Sequence, residues 1–230
     1  MNYLLNIHTT SENAIVNLSD GADVLTTSIN LNPREHATFL HTSISQILTE
    51  NNIQPNVLKA VGVTAGPGSY TGIRVGLATA KGLCFALKIP MIMINTLEVM
   101  ASAAIEKISN NKALYCPMID ARRMEVFFAV YDSALKAIIP PSAMVLEEDS
   151  LQEITRDHPT FFFGDGVEKF KQISNMSNEN FHFTDNKLSS SALSVFSWNK
   201  FKKNEFDSIA HSKAFYVKEF YTNSKIFKKK

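Results

Sequence analysis

A glycine-rich loop is the stretch of this sequence best suited to hold a small charged group. It reads GPGSYTGIR over residues 66–74 and lies between a short apolar run and a longer one with helical spacing. Glycine lets the backbone approach another group closely, and N–H groups at a helix start can bind an anion such as phosphate. The candidate anion or nucleotide loop comprises Gly66, Gly68, Ser69, Thr71 and Gly72. The alternative is a tight strand-to-helix turn that packs against a neighbouring stretch of chain.

The loop matches neither of two known phosphate-binding motifs. The Gly-Lys-Ser/Thr signature of P-loops is missing, and so is GxGxxG followed by an acidic residue. Ser69 also lacks the GxSxG context of a hydrolase nucleophile. The sequence therefore predicts no catalytic residue here, and the choice between an anion loop and a tight turn stays open.

Two adjacent arginines are a second candidate for anion binding. Arg122 and Arg123 form the corner of a predicted hairpin, between Asp120 and Glu125. A guanidinium group can hold phosphate or carboxylate through two parallel hydrogen bonds. The alternative interpretation is a solvated turn.

Histidines and cysteines, the usual ligands of transition metals, are not spaced for a metal site. His36 and His41 lie five residues apart on a predicted helix, which separates them by roughly 140° around its axis. Cys84 and Cys116 stand in apolar stretches without a CxxC pattern, which is typical of buried thiols. We expect no metal or redox centre.

The charge balance argues against a dedicated nucleic-acid binder, and the short apolar runs argue against a membrane protein. The chain has 23 Lys and Arg against 22 Asp and Glu, and four of the lysines lie in its last six residues. The longest unbroken apolar run, Val126–Tyr131, is far below the roughly 20 residues of a membrane helix. The N-terminus shows no basic residue before Arg34 and no leader pattern. We expect a cytoplasmic protein that reaches RNA through a partner.

Periodicity and turn signals predict an α/β chain in two parts. Residues 1–109 read as three strands, then helix, strand, helix, strand and helix, a complete lobe with a mixed sheet. Residues 110–230 begin with a hairpin and carry weaker signals, with Pro140-Pro141 predicted to interrupt the chain. Thr96 is the expected N-cap of the third helix. No internal repeat is detectable by eye.

Small residues along the second predicted helix permit another helix to approach closely. Gly72, Gly76, Ala78, Ala80 and Gly82 recur among its apolar residues. The first two helices could therefore form a docking face for another protein. Packing wholly within one chain is the alternative.

Five segments closely resemble the TsaB (YeaZ) family of tRNA threonylcarbamoyladenosine biosynthesis proteins. They are YLLNIHTTSENAIVNLSD, GPGSYTGIRVGLATAKGL, MIDARRMEVFFAVYD, the GDG at 164–166 and FYVKEFYT, in order from Tyr3 to Thr222. The resemblance implies the actin-like, sugar kinase and Hsp70-type ATPase fold. In that fold two related lobes, each with a mixed β-sheet and flanking helices, face a cleft.

The resemblance also implies a function without catalysis by this chain. A member of the family is expected to support threonylcarbamoyl transfer to the adenosine beside the anticodon of ANN-reading tRNAs. It would dimerise with a TsaD-type catalytic subunit, recruit a TsaE-type P-loop ATPase and self-pair when alone. tRNA, with Arg122 and Arg123 as a candidate contact, would be met only within the complex. No cofactor of its own is implied, although ATP or ADP at the partner interface is left open.

In this family the first two helices form the partner interface. Six residues chosen by helical spacing are the interface candidates: Leu40, Ile44, Leu48, Val75, Thr79 and Leu83.

The related catalytic subunit binds a metal through two histidines four residues apart, and this chain departs from that pattern. Thr96 and Met100 stand in the corresponding positions, and His8 stands where proteins of the fold commonly carry an aspartate. A hydroxyl and a thioether are poor ligands for iron or zinc. The alternatives, an ATP-dependent small-molecule kinase of the same fold and a glycoprotease-like metallopeptidase, are therefore less well supported.

Overall fold

A computed structural model describes residues 1–32, 35–174, 178–186 and 188–217. Within these residues the chain forms two five-stranded sheets and six α-helices. The strands are β1 (Tyr3–His8), β2 (Ala14–Asp20), β3 (Asp23–Asn30), β4 (Ala60–Thr64), β5 (Met91–Ile94), β6 (Leu114–Asp120), β7 (Glu125–Tyr131), β8 (Ala137–Val145), β9 (Thr160–Phe163) and β10 (Phe181–Phe183). The helices are α1 (His36–Glu50), α2 (Tyr70–Leu87), α3 (Thr96–Ile108), α4 (Gln152–Thr155), α5 (Val167–Ile173) and α6 (Ser190–Lys202).

The two sheets repeat one topology. The first has the order β3-β2-β1-β4-β5 and the second β8-β7-β6-β9-β10. In each, the first three strands along the chain pair antiparallel and the remaining two join in parallel. This duplication is invisible in the sequence, because apolar packing constrains the type of a residue and not its identity.

Both faces of the first sheet are covered by helices, so its central strands are apolar on both sides. Leu5 of β1 packs in the core that α1 and α2 share with the sheet. Leu4, one residue earlier, belongs to the cluster with Leu193 of α6. Successive side chains of a strand point to opposite faces, so β1 can serve both layers. The boundary predicted between two parts of the chain at residue 109 stays a prediction. α6 packs against the first sheet although it follows the second sheet in sequence.

Two local predictions are wrong. Pro140 and Pro141 lie inside β8 instead of interrupting the chain. β8 is the edge of its sheet, and its pairing with β7 is irregular between Phe128 and Val130, opposite the two prolines. Edge strands and bulges are the places in a sheet where proline is tolerated. Asn95, not Thr96, caps α3, since its side chain accepts hydrogen bonds from the N–H groups of Leu97 and Glu98.

Candidate functional site

A cleft of about 670 Å³ separates the two sheets and is the natural place for a ligand. The end of β1 and the turn after it line one side, and the start of α5 lines the other. Its polar wall includes His8, Ser11, Glu12, Asp165, Glu168 and Asp185. Ligands of α/β proteins collect at the carboxyl ends of parallel strands, as here beyond β1.

His8 is buried at the base of this cleft and is held neutral. Its Nδ1 lies 3.1 Å from Thr64 Oγ1 and its Nε2 lies 2.8 Å from Ser11 Oγ. Burial, reinforced by the nearby His36, lowers the pKa of His8 to about 3. An uncharged imidazole has no oxygen with which to bind magnesium and no charge with which to attract phosphate. The aspartate expected at this position in proteins of the fold would bind the metal through its carboxylate.

Thr96 and Met100, the two positions at which the resemblance would place metal ligands, are filled by packing. Thr96 Oγ1 is buried and hydrogen-bonded to Thr10 Oγ1 at 3.0 Å. Met100 is also buried, and a Cβ added to Gly164 would lie 2.9 Å from its methyl group. Among the described residues, no group of three or more His, Cys, Asp or Glu side chains could hold a metal ion.

Negative charge dominates the cleft. Among the described residues, Glu12, Asp165, Glu168 and Asp185 line it with a single basic side chain, that of Lys171. Lys171 Nζ lies 2.8 Å from Glu168 Oε1. Burial raises the pKa of Asp165, and the charges of Glu12 and Asp120 add to that rise while a hydrogen bond from the Asp120 N–H opposes it. Since like charges repel, the cleft is poorly suited to a nucleotide triphosphate.

The glycine loop packs against the turn that follows β1. Ser69 N–H donates to the Thr10 carbonyl at 2.7 Å, and Gly72 N–H donates to Ser69 Oγ at 3.2 Å. A Cβ at Gly68 would lie 2.1 Å from the Thr10 carbonyl oxygen, and one at Gly72 would lie 1.9 Å from that of Thr9. These distances explain why both positions are glycine: the backbone of the turn after β1 packs too closely for a side chain. Of the candidate loop residues, Gly66, Gly68 and Gly72 therefore serve a tight turn, and Ser69 caps α2; Thr71 is exposed beside them.

The arginine corner lies away from the glycine loop, at the turn between β6 and β7. Arg122 and Arg123 are exposed and adopt left-handed backbone conformations, with φ of 68° and 49°. Asp120 at the same corner pairs with Lys169 at 2.6 Å. The geometry is that of a solvated turn, and a phosphate contact by these guanidinium groups stays a prediction.

The six interface candidates do not share an outward face. Leu40, Ile44 and Leu48 of α1 are buried in the core against the first sheet, and Val75, Thr79 and Leu83 of α2 are half-buried. The three α1 side chains are covered within this chain, because apolar helical spacing marks the stripe that faces the sheet. A role of the six residues in a partner interface stays a prediction. The exposed face of α2 consists of Arg74, Ala78, Gly82, Phe85 and Ala86. Phe85, 79% exposed, is the large apolar side chain that sequence spacing missed.

A family model described as TsaD: tRNA N6-adenosine threonylcarbamoyltransferase matches residues 29–224. A curated relative from Bacillus subtilis, named tRNA threonylcarbamoyladenosine biosynthesis protein TsaB, is 29% identical over 145 residues, 61% of this chain and 61% of that protein. The Escherichia coli protein of the same name is 36% identical over 129 residues, 56% of this chain and 54% of that protein. The chain belongs to the TsaD family, in its TsaB/YeaZ branch. Its matches span between half and two thirds of the length of these TsaB relatives.

Solved structures of the TsaB/YeaZ branch share the fold. A Pseudomonas aeruginosa protein described as similar to peptidase YEAZ superimposes with a TM-score of 0.81 at 22% identity, covering 95% of this chain and all 100% of that one. YeaZ from Pseudomonas aeruginosa gives 0.77 at 22% identity, covering 94% and 100%. The ethanolamine utilization protein EutJ from Carboxydothermus hydrogenoformans gives 0.50 at 8% identity, covering 85% and 90%. With the repeated topology, these likenesses confirm the predicted two-lobed actin-like fold.

The described residues contain no helix that is both long and apolar enough to cross a bilayer.

Proposed function

We propose that this chain is the non-catalytic partner subunit of a system that threonylcarbamoylates tRNA. The observation that carries the proposal is the state of its own cleft. A neutral His8 and the Thr10–Thr96 hydrogen bond occupy positions where a catalytic relative would hold a metal and nucleotide. The names of the TsaB relatives supply the pathway, and the cytoplasm, where tRNA is modified, is the expected compartment.

The proposed partner is a TsaD-type catalytic subunit that packs on α1 and α2. Phe85 and the small residues Ala78, Gly82 and Ala86 lie exposed on α2. Within the described part of the chain, no atom outside the helix lies within 4 Å of a Cβ built at Gly82, so this face can admit a side chain of a partner helix. We further propose that the same face pairs two copies when the catalytic subunit is absent, and that a TsaE-type ATPase joins the assembled pair.

The favoured mechanism is one in which this chain acts by organising its partner, and two enzymatic alternatives are less well supported. A kinase of the same fold needs to hold nucleotide phosphates in a cleft that here is lined, among the described residues, by four carboxylates and one lysine. A metallopeptidase needs a metal site, and the two aligned positions are Thr96 and Met100. Any ATP or ADP is instead proposed to bind at the partner interface, where a second subunit could supply the missing ligands.

The test is reconstitution of threonylcarbamoylation from the other purified pathway proteins, with and without this chain. The proposal predicts that product forms only when the chain is present, while the chain alone neither hydrolyses ATP nor forms product. Equal product without the chain would contradict it.

A further inference from the structure

The face of the first sheet that α6 covers contains a cluster of polar side chains without access to solvent. On the opposite face, the same strands contribute apolar side chains such as Leu5 and Leu18 to the core. A buried polar atom without a hydrogen bond is costly, so each atom of the cluster is expected to have a partner. The cluster comes from β1, β2 and α6 and consists of Asn6, Asn17, Ser19, Ser194 and Ser197.

The orientation of the Asn17 amide fixes that of Asn6. Asn17 Nδ2 donates to the Ser190 carbonyl at 2.8 Å, which leaves its Oδ1 as an acceptor. Asn6 Nδ2 donates to that oxygen at 2.8 Å, and Ser194 Oγ donates to it at 3.2 Å. Exchanging the nitrogen and oxygen of either amide would bring two donors or two acceptors together. Asn6 Oδ1 therefore points away from Asn17, toward Gly62 of β4.

Two atoms of the cluster have no hydrogen-bond partner in the described part of the chain, Asn6 Oδ1 and Ser197 Oγ. Both lie beside Gly62, since a Cβ built there would lie within 2.5 Å of each oxygen. The two oxygens are therefore at most ~5 Å apart, a separation that one water molecule bridges with two hydrogen bonds of ~2.8 Å.

The chemistry of these two atoms is complementary to water. The amide oxygen of Asn6 only accepts hydrogen bonds, whereas the hydroxyl of Ser197 has one proton to donate. A water molecule between them would accept from Ser197 Oγ and donate to Asn6 Oδ1, so both atoms would be satisfied. Buried waters in proteins commonly bridge polar groups that have no other partner.

We propose that an internal water-binding site lies between Asn6 of β1 and Ser197 of α6, beside Gly62 of β4. A side chain at position 62 would collide with both oxygens, which explains a glycine inside a strand that is not at the sheet edge. The water is part of the contact that holds α6 on the first sheet, where the chain returns after completing the second sheet. The site is independent of the proposed role in tRNA modification.

The experiment counts long-lived internal waters by magnetic relaxation dispersion of water oxygen-17, with the purified full chain as wild type and as Ser197→Ala. A water left with one partner exchanges quickly, so Ser197→Ala should lower the count by one. The substitution also leaves Asn6 Oδ1 unpaired. It should therefore raise the equilibrium constant for unfolding at least about tenfold in a denaturant titration.

The matched control is Ser194→Ala, which removes a fully buried serine one turn earlier on α6 that bonds directly to Asn17. It should lower stability without changing the water count. An unchanged count in Ser197→Ala overturns the inference. With lower stability that result indicates a direct bond between Ser197 and Asn6, and with equal stability it indicates a hydroxyl that has no partner. Loss of a water in both variants would indicate a general loosening of α6 and would also overturn the assignment to this site.

Discussion

At the scale of single residues, His8 links the burial of the cleft base to a measurable pH dependence. Its pKa of about 3 lies below the ordinary value of 6.5, so between these two values the unfolded chain binds a proton that the native chain does not. Stability from this group is therefore present above pH 6.5 and is lost as the pH falls. We expect its share of the unfolding free energy to drop by about 2 kcal/mol between pH 6.5 and 4.5.

The measurement is chemical denaturation of wild type and His8→Gln at several pH values in that window. The variant should show a shallower loss of stability on acidification. His41→Gln, which removes an exposed histidine of α1, is the control for losing one imidazole. Parallel curves for His8→Gln and wild type would contradict the buried neutral assignment.

Two glycines of α2 make opposite predictions for the same substitution. Gly72→Ala places a methyl group 1.9 Å from the Thr9 carbonyl oxygen, whereas Gly82→Ala meets nothing within 4 Å. We expect Gly72→Ala to lower the unfolding free energy by about 3 kcal/mol through backbone displacement. Gly82→Ala should raise it by about 0.5–1 kcal/mol, because alanine is the better helix former. Thermal or denaturant unfolding of the isolated chain measures both, and equal effects of the two substitutions would refute the close packing of the glycine loop.

At the scale of elements, helical periodicity predicts which face of a helix is buried but not which face binds a partner. Leu40, Ile44 and Leu48 follow the apolar spacing and therefore lie in the core. Phe85 escapes the pattern because one aromatic ring on an exposed face has no periodic neighbours. Its exposure depends on which side of α2 the sheet covers, and the sequence of the helix alone does not show this.

The docking face is tested by Phe85→Asp. A buried aromatic anchor typically accounts for at least 2 kcal/mol of binding, or about thirtyfold in affinity. Phe85→Asp should therefore weaken association with the TsaD-type subunit, and self-association, by at least that factor in analytical ultracentrifugation. Leu25→Asp, at a 46% exposed apolar position on β3, is the matched control and should associate like the wild type. Unchanged association of Phe85→Asp would remove this face of α2 from the interface.

The sequence predicted most elements but not how they assemble. Both α1 and α2, and strands β1 to β5, follow from spacing and turn residues, since each carries a local apolar pattern. The interruption predicted at Pro140-Pro141 failed because the edge position of β8 is a property of the sheet, which no local pattern reveals. The hydrogen bond between Arg74 and Tyr216 likewise joins parts of the chain that are more than 100 residues apart. The same holds for Glu12 and Asp165, which line one cleft.

At the scale of the whole molecule, the charge distribution separates two surfaces. Among the described residues, the cleft between the sheets is lined by four carboxylates and one lysine, whereas Arg74, Lys81 and Lys213 lie together between α2 and residues 207–216. An isolated chain should therefore bind ATP weakly. Isothermal titration with magnesium and ATP is expected to show no binding tighter than about 1 mM, and micromolar binding would revive the kinase alternative.

The central claim is that this chain acts as a stoichiometric subunit and not as an enzyme in its own right. The most direct measurement is the initial rate of tRNA threonylcarbamoylation while the chain is titrated into a fixed amount of the catalytic subunit. A partner subunit should raise the rate until the two proteins are equimolar and then have no further effect. Full activation by a small catalytic fraction of the chain, or no dependence on it at all, would contradict the account.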